Sequence, residues 1–237
     1  MVDPRELGKE AARIATQSIR DAIERQGTAR IVLSTGASQF ETIEELIASD
    51  IDWTKVEMFH LDEYVGLSEQ HPASFRKYLK ERFTSKVSLK SVHFVDGEVD
   101  YLAKMAALSE ELRKAPIDLA LIGIGENAHI AFNDPPADFS TKEPFIVVNL
   151  DDACKSQQVR EGWFPTLDDV PKQAISMSVH QIMQCKHIIS SVPHKVKAEA
   201  IKKTLESDIT PEIPATILKS HSQWSLVLET ESAAYIK

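Results

Sequence analysis

Short apolar runs alternate with longer amphipathic segments along almost the whole chain. Runs with strand character are ARIVLSTG, VEMFHLDEY, SVHFVDG, IDLALIGIG, FIVVNL, AISMS, HIISSVP and WSLVLE. Segments with helical spacing include FETIEELIAS, PASFRKYLKERF, YLAKMAALSEELRKA and HKVKAEAIKKTLES. IDLALIGIG is apolar on both faces, as expected for a central parallel strand. The alternation predicts an α/β fold of three layers, a mostly parallel twisted sheet with helices on both faces, of modified Rossmann-like type.

The length and composition fit one globular domain. A chain of 237 residues can bury a sizeable core, and no linker or low-complexity segment divides it, so residues 1–237 are predicted to form a single domain. The longest apolar stretches are far shorter than the roughly 20 residues that a membrane helix needs. Cys154 and Cys185 have no metal-ligand spacing and fit reduced thiols. The N-terminal segment is charged and helical, unlike a secretion signal, and we therefore expect a cytoplasmic protein without a membrane partner.

The net charge limits the class of ligand. A formal charge of −9 argues against a general nucleic-acid binder, whereas a small anionic substrate can still be held in a local positive pocket. In the predicted fold, ligands bind outside the carboxyl ends of the strands. The residues that follow the strands are therefore the candidates for chemistry.

The first candidate segment is the turn after ARIVL. Thr35, Gly36, Ala37 and Ser38 are small or hydroxylated and precede a helix, so their N–H and O–H groups could surround a phosphate. A simple N-capped turn explains the same residues.

The second candidate segment is the acidic pair after VEMFHL. Asp62 and Glu63 follow an apolar strand, and at least one carboxylate should project into the crevice. A partly desolvated carboxylate has a raised pKa and can act as a general base. The competing interpretation is an acid that caps a helix or forms an ion pair.

The third candidate segment is LIGIGENAHIAFNDPP, which ends the predicted central strand. It brings Glu126, Asn127, His129 and Asp134 together within a few positions. A histidine held by amide and carboxylate neighbours can be fixed in one tautomer for proton transfer. A histidine that only satisfies backbone groups of a tight turn is the alternative.

These segments carry a family resemblance. DEYVGL followed by HP, then GIGENAHIAFNDP, with STGAS early and ATILKSH late, resemble the glucosamine-6-phosphate deaminase (isomerase) family, which shares its fold with 6-phosphogluconolactonases. The resemblance implies a sugar-phosphate substrate, most simply glucosamine 6-phosphate. It implies ring opening, proton transfer from C2 to C1 and loss of ammonia to leave a ketohexose phosphate, with no metal or organic cofactor.

The resemblance also implies residue roles. Asp62 matches the enolising base and His129 the ring-opening acid and base, with Asn127 and Asp134 beside it. The phosphate-binding positions it implies are Thr35, Gly36, Ala37, Ser38 and Lys195, together with a basic residue that is either Arg160 or Lys155.

The chain departs from the family pattern around the histidine. The family usually reads Asp-Gly-His where this chain has Asn127, Ala128 and His129, and Glu where it has Asp134. Asparagine cannot supply the negative charge that fixes and stabilises an imidazolium. Either Glu126 or Asp134 could supply that charge instead. If neither does, Asn127→Asp should speed ring opening. Alanine at 128 indicates a backbone that does not need a glycine-only conformation.

Three functions stay open at this point. The first is deamination of a hexosamine 6-phosphate, with gluco or galacto stereochemistry undecided. The second is a lactonase-like hydrolysis of a sugar phosphate, and the third is sugar-phosphate binding that regulates a partner without turnover. The sequence also leaves open whether the chain is a monomer or a homo-oligomer.

Overall fold

The computed structural model describes residues 1–236. The strands of this part of the chain are β1 (Ala29–Leu33), β2 (Val56–His60), β3 (Asp62–Tyr64), β4 (Ser91–His93), β5 (Leu119–Leu121), β6 (Phe145–Asn149), β7 (Gln173–Met177), β8 (His187–Val192) and β9 (Trp224–Leu228). The α-helices are α1 (Pro4–Gln26), α2 (Phe40–Ile47), α3 (Phe75–Leu79), α4 (Tyr101–Arg113), α5 (Asp152–Arg160), α6 (Val179–Met183) and α7 (Ala198–Glu206). None of these helices has both the length and the apolar character needed to cross a bilayer.

A six-stranded parallel sheet forms the centre of the fold, in the order β4-β2-β1-β5-β8-β9. After β1 the chain extends the sheet to one side through β2 and β4, and it then returns to place β5 on the other side of β1. The carboxyl ends of β1 and β5 therefore meet where the strand order reverses. Such a switch point is where ligands bind in open α/β sheets.

Side chains of the central strands alternate between two hydrophobic layers. In β1, Ile31 and Leu33 pack into a layer with α1, α2 and α3, whereas Val32 faces a layer with α4, α6 and α7. All three side chains are fully buried, and burying a branched aliphatic side chain of this kind contributes about 1.5–3 kcal/mol. The predicted three-layer arrangement with helices on both faces is confirmed.

Helix α1 shows how local chemistry sets the ends of an element. The side chain of Asp3 accepts a hydrogen bond from the Glu6 N–H at 2.9 Å, and Pro4 occupies the first helical position. Gly27 ends the helix in the left-handed region at φ 81°. The buried face of the helix is rich in alanine, so its backbone lies close to the sheet and to α2.

A second, antiparallel sheet corrects one sequence expectation. VEMFHLDEY was predicted as one strand, but it forms two, and β3 leaves the parallel sheet to pair with β7, which also pairs with β6. Leu61 lies at the junction, since its N–H donates to Leu33 of the large sheet and its carbonyl accepts from Met177 of the small one. Asp62 is thus the first residue of the small sheet.

Candidate active site

A cavity of about 260 Å³ opens at the carboxyl ends of β1, β5 and β8, beside the switch point. It is slightly smaller than the usual range of ligand cavities, about 300–1,000 Å³, and suits one small molecule. Its walls come from the loops after these strands, from the β2–β3 junction and from α5. Phe75, Phe132 and Trp163 supply the aromatic part of the lining.

The β1 loop lines the cavity with every residue from 34 to 38. Gly36 has φ 102°, a conformation that favours glycine, and its carbonyl accepts a hydrogen bond of 3.0 Å from the Tyr78 hydroxyl. Ser34 Oγ is buried and has no hydrogen-bond partner among residues 1–236. The loop leads through a short 3₁₀ turn into α2, so its small residues and hydroxyl groups can approach an anion at this end of the helix.

The lysine in the cavity is Lys197, and Lys195 is exposed outside it. The two lie on a single 3₁₀ turn, Lys195–Lys197, which points them in different directions. Lys197 is only 7% exposed, and its ammonium group has no hydrogen bond or ion pair within the part of the chain that the structure describes. Burial lowers its pKa, and the charges of Glu161 and Glu126 oppose this shift only in part. Sequence reasoning missed this residue, although it stands two positions from the predicted one.

The acidic pair after β2 has divided roles. Asp62 lines the cavity, is 6% exposed, and makes no hydrogen bond with residues 1–236. Burial, reinforced by the charge of Glu63, raises the pKa of Asp62 well above its ordinary value. Its carboxyl group is therefore open to a ligand in the cavity and is a candidate for proton transfer.

Glu63 is fully buried and caps α3 instead. Its carboxylate accepts hydrogen bonds from the Ser74 hydroxyl at 2.8 Å and from the Arg76 N–H at 2.9 Å, and it pairs with the Arg76 guanidinium at 3.3 Å. Burial raises the pKa of Glu63, and these donors oppose the rise. The helix-capping interpretation thus describes Glu63 and not Asp62.

The partner of the histidine is Asp134. Nδ1 of His129 lies 3.1 Å from Oδ1 of Asp134, in a bent contact rather than a well-aligned hydrogen bond. Burial alone would raise the pKa of Asp134, but His129 and the Asn127 amide lower it below its ordinary value, so this carboxylate is ionised. Asn127 does not touch the ring: its Oδ1 accepts the His129 N–H at 3.1 Å, and its Nδ2 donates to Asp134 at 3.2 Å. The carboxylate that Asn127 lacks is therefore supplied by Asp134.

Two small residues shape the turn that carries His129. A Cβ on Gly125 would lie 2.2 Å from Cε1 and 2.3 Å from Nε2 of the imidazole, so only glycine leaves room for the ring. Ala128 has φ 66°, in the left-handed region. The expectation that position 128 avoids such a conformation is wrong, and this alanine bears a conformational strain of about 1–2 kcal/mol.

Ser176 on β7 ties the two proton-transfer candidates together. Asp62 is the residue paired with Ser176 across β3 and β7. The Ser176 hydroxyl accepts the Phe132 N–H at 3.0 Å, and the Asn133 amide donates to the Met177 carbonyl at 2.9 Å. The loop after His129 and the strand with Asp62 therefore share one support.

Helix α5 covers the cavity with Gln157 and Gln158, and the segment after it adds Glu161. Neither cation predicted to bind phosphate here lines the cavity: Arg160 pairs with Glu126, and Lys155 lies 3.6 Å from Asp152. The helix itself was not predicted. The sequence does contain one signal for this helix, its N-cap residue Asp151, whose carboxylate accepts the Cys154 N–H at 2.7 Å.

Possible metal ligands were also considered. Across residues 1–236, no group of three or more His, Cys, Asp or Glu side chains is arranged to hold a metal ion. The side chains that face the cavity are instead suited to proton transfer and to anion binding.

Comparison with known proteins agrees with this geometry. Residues 2–227 match the family described as glucosamine-6-phosphate isomerases/6-phosphogluconolactonase. The chain is 34% identical to a glucosamine-6-phosphate deaminase of Oenococcus oeni, over 96% of this chain and 94% of that one. It is also 34% identical to a glucosamine-6-phosphate deaminase of a Thermoanaerobacter species, over 99% and 93%.

Solved structures show the same fold. A monomeric glucosamine-6-phosphate deaminase superposes with a TM-score of 0.89 at 30% identity, covering 99% of this chain and 97% of that one. The 6-phosphogluconolactonase of Thermotoga maritima has a TM-score of 0.80 at 15% identity, covering 97% of both chains. The second likeness is one of fold alone. From the family match and the two relatives at 34% identity, the chain belongs to the family of glucosamine-6-phosphate isomerases and 6-phosphogluconolactonases.

Proposed function

We propose that the protein is an amino-sugar phosphate deaminase that converts a hexosamine 6-phosphate, glucosamine 6-phosphate first among them, to a ketohexose 6-phosphate and ammonia. The observation that carries the proposal is one cavity lined by an unpartnered buried carboxylate, a carboxylate-paired histidine and an unpartnered buried ammonium group. The full-length relatives named glucosamine-6-phosphate deaminase support the same reaction.

Ring opening is the role of His129. Its imidazole receives the proton of the C1 hydroxyl and returns a proton to the ring oxygen as the C1–O5 bond breaks, which leaves an open-chain aldehyde. Ionised Asp134 stabilises the imidazolium formed in between and orients the ring. Asn127 holds the turn and Asp134 in place for this step.

Isomerisation is the role of Asp62. Its carboxylate takes the proton from C2, and the electron pair forms the C1–C2 double bond while the C1–O1 π pair moves to O1, which takes a proton from solvent, so that an enolamine forms. Asp62 then delivers its proton to C1. The nitrogen lone pair forms the C2 imine at the same time. A carboxylate whose pKa is raised by burial holds that proton well enough to return it.

Hydrolysis completes the reaction. Water adds to the imine carbon C2, and ammonia leaves as the C2–N bond breaks, which gives the ketose and makes the net reaction a hydrolytic deamination. Every step is a proton transfer or an addition of water, so side chains and solvent suffice without electron transfer.

The phosphate group lies between the β1 loop and Lys197. The protein supplies no hydrogen-bond partner for the buried ammonium group of Lys197, and a bound phosphate would provide one. The loop from Thr35 to Ser38 adds N–H and hydroxyl donors. In this assignment Lys195 and Arg160 are not phosphate ligands, because neither lines the cavity.

The experiment that tests the proposal measures ammonia and ketose phosphate from glucosamine 6-phosphate and, separately, from galactosamine 6-phosphate. 6-Phosphogluconolactone serves as a parallel substrate. Ammonia from an amino sugar, lost in Asp62→Asn, is the expected result. Hydrolysis of the lactone alone, or binding of a sugar phosphate without turnover, would refute the proposal.

A matched pair of lysine variants tests the phosphate site. Lys197→Met should raise KM about 10- to 100-fold, since a charge-assisted hydrogen bond is worth about 1.5–3 kcal/mol. Lys195→Met, which removes an exposed ammonium outside the cavity, should leave KM within about twofold. Equal effects of the two substitutions would contradict the assignment.

Both cysteines are buried and unpaired, which fits a reducing compartment. We accordingly assign the reaction to the cytoplasm, where phosphorylated sugars are retained.

A further inference from the structure

One face of the segment from α5 to Glu161 is polar and turned inward. Cys154, Gln157, Gln158 and Glu161 follow the i, i+3, i+4, i+7 spacing of a helical face, and the last three line the cavity. An inward face on a surface helix is ordinarily apolar. The side chains here instead present amide and carboxylate groups to whatever occupies the cavity.

The two glutamines differ in how they are satisfied. Gln157 donates to Oε1 of Glu161 at 2.7 Å. The carboxamide of Gln158 makes no hydrogen bond with any of residues 1–236, although the residue is only 7% exposed. The carboxamide therefore faces the cavity without a protein partner, and it is available to a ligand that supplies those hydrogen bonds.

The charges around Gln158 decide which ligand group that is. Arg160 pairs with Glu126 and Lys155 lies 3.6 Å from Asp152, so among residues 1–236 the carboxylate of Glu161 has no cation at ion-pair distance. Glu161 lines the cavity, and its carboxylate accepts hydrogen bonds only from the neutral side chains of Gln157 and Trp163, so it keeps its negative charge at this wall. A phosphate dianion placed here would be repelled. A hydroxyl group can both donate and accept a hydrogen bond. A carboxamide, which has an acceptor oxygen and a donor NH₂ group, complements it.

We propose that Gln158 binds hydroxyl groups of the sugar chain and is the specificity-determining residue that α5 contributes to the site. The inference rests on the proposed function for the identity of the ligand, a polyhydroxy phosphate. The phosphate end contacts the β1 loop and Lys197, and the hydroxyl-bearing carbons lie under α5. Gln158 thus discriminates sugar phosphates from inorganic phosphate.

The test is calorimetric binding of two unreactive probes, inorganic phosphate and glucitol 6-phosphate, to the full-length protein. Gln158→Met keeps an unbranched side chain of similar length but removes the carboxamide. The substitution should raise the Kd of glucitol 6-phosphate about tenfold or more and change the Kd of inorganic phosphate by no more than about twofold. If the methionine variant does not fold, Gln158→Ala gives the same comparison, because alanine is a good helix former.

Ser156→Ala is the matched control on the same helix. Its hydroxyl donates only to the Asp152 carbonyl, and its side chain does not line the cavity, so both affinities should match the wild type. The inference is overturned if Gln158→Met weakens both probes equally or neither. It is also overturned if the wild type binds glucitol 6-phosphate no more tightly than inorganic phosphate.

Binding separates this inference from the proposed reaction. A protein that releases no ammonia, yet loses glucitol 6-phosphate selectively in Gln158→Met, would refute the reaction and support the hydroxyl contact. Ammonia release in a protein whose probe affinities do not respond to Gln158→Met would refute the hydroxyl contact alone.

Discussion

Removing the Asp62 carboxylate should stabilise the protein while it abolishes turnover. The side chain is 6% exposed, makes no hydrogen bond with residues 1–236 and lies beside the buried charge of Glu63. A buried polar group without a partner destabilises the fold by about 1–3 kcal/mol. Asp62→Asn keeps the shape of the side chain and removes its charge.

The gain in stability should depend on pH. Burial raises the pKa of Asp62 in the folded state well above its value in the unfolded chain. Between these two pKa values the folded protein holds a proton that the unfolded chain has released, so the wild-type free energy of unfolding falls as the pH rises. Asparagine has no such proton. The advantage of Asp62→Asn should be small near pH 4, grow with rising pH, and level off above the folded-state pKa.

Urea unfolding followed by circular dichroism, at about pH 5 and about pH 8, measures this difference. At the higher pH we expect Asp62→Asn to be about 1–3 kcal/mol more stable, with a melting temperature about 2–4 °C higher for each kcal/mol. Asp208→Asn, at an exposed aspartate, is the control and should change the free energy of unfolding by less than about 0.5 kcal/mol. A variant less stable than the wild type at pH 8 would show that the folded protein compensates the Asp62 charge, which would refute the reasoning.

Three further substitutions test the site. Gly125→Ala places a Cβ 2.2 Å from the His129 ring and should lower kcat about 10²-fold by displacing it; steady-state kinetics with kcat within about twofold would contradict this. Asn127→Asp puts a carboxylate where the amide now lies 3.2 Å from Asp134, so kcat/KM should fall rather than rise, and a faster enzyme in a pH–rate profile would show the opposite. Glu63→Gln removes the buried one of the three carboxylates that pair with Arg76 and should cost about 1–3 kcal/mol in urea unfolding, an expectation that a loss below about 0.5 kcal/mol would rule out.

The parallel layers and the strand ends could be predicted because they depend on local pattern. A strand buried on both faces, such as the run before Gly123, is visible as an uninterrupted apolar segment. Polar residues that follow such a strand must lie at the edge of the sheet formed by the carboxyl ends of the strands. Asp62, His129 and the loop to Ser38 all line one cavity for that reason.

What the sequence left undecided depends on contacts between distant segments. Asp62 and Glu63 are adjacent carboxylates, and only the donors of α3 determine that Glu63 is the structural one. Lys195 and Lys197 lie two residues apart on one 3₁₀ turn, so their side chains point in different directions. Which of them lines the cavity depends on how that turn packs. Helix α5 has no apolar periodicity, because the face it buries is polar and lies against the cavity.

The small sheet divides the work of the site between two supports. The loops that we propose to bind phosphate follow strands of the large parallel sheet, whereas Asp62 and the His129 loop both contact β7 at Ser176. In the proposed reaction, changes in the loops after β1 or β8 can therefore alter the binding of the phosphate group without moving His129 relative to Asp62. A scaffold of this kind permits new substrates to be accommodated while the proton-transfer geometry is inherited intact.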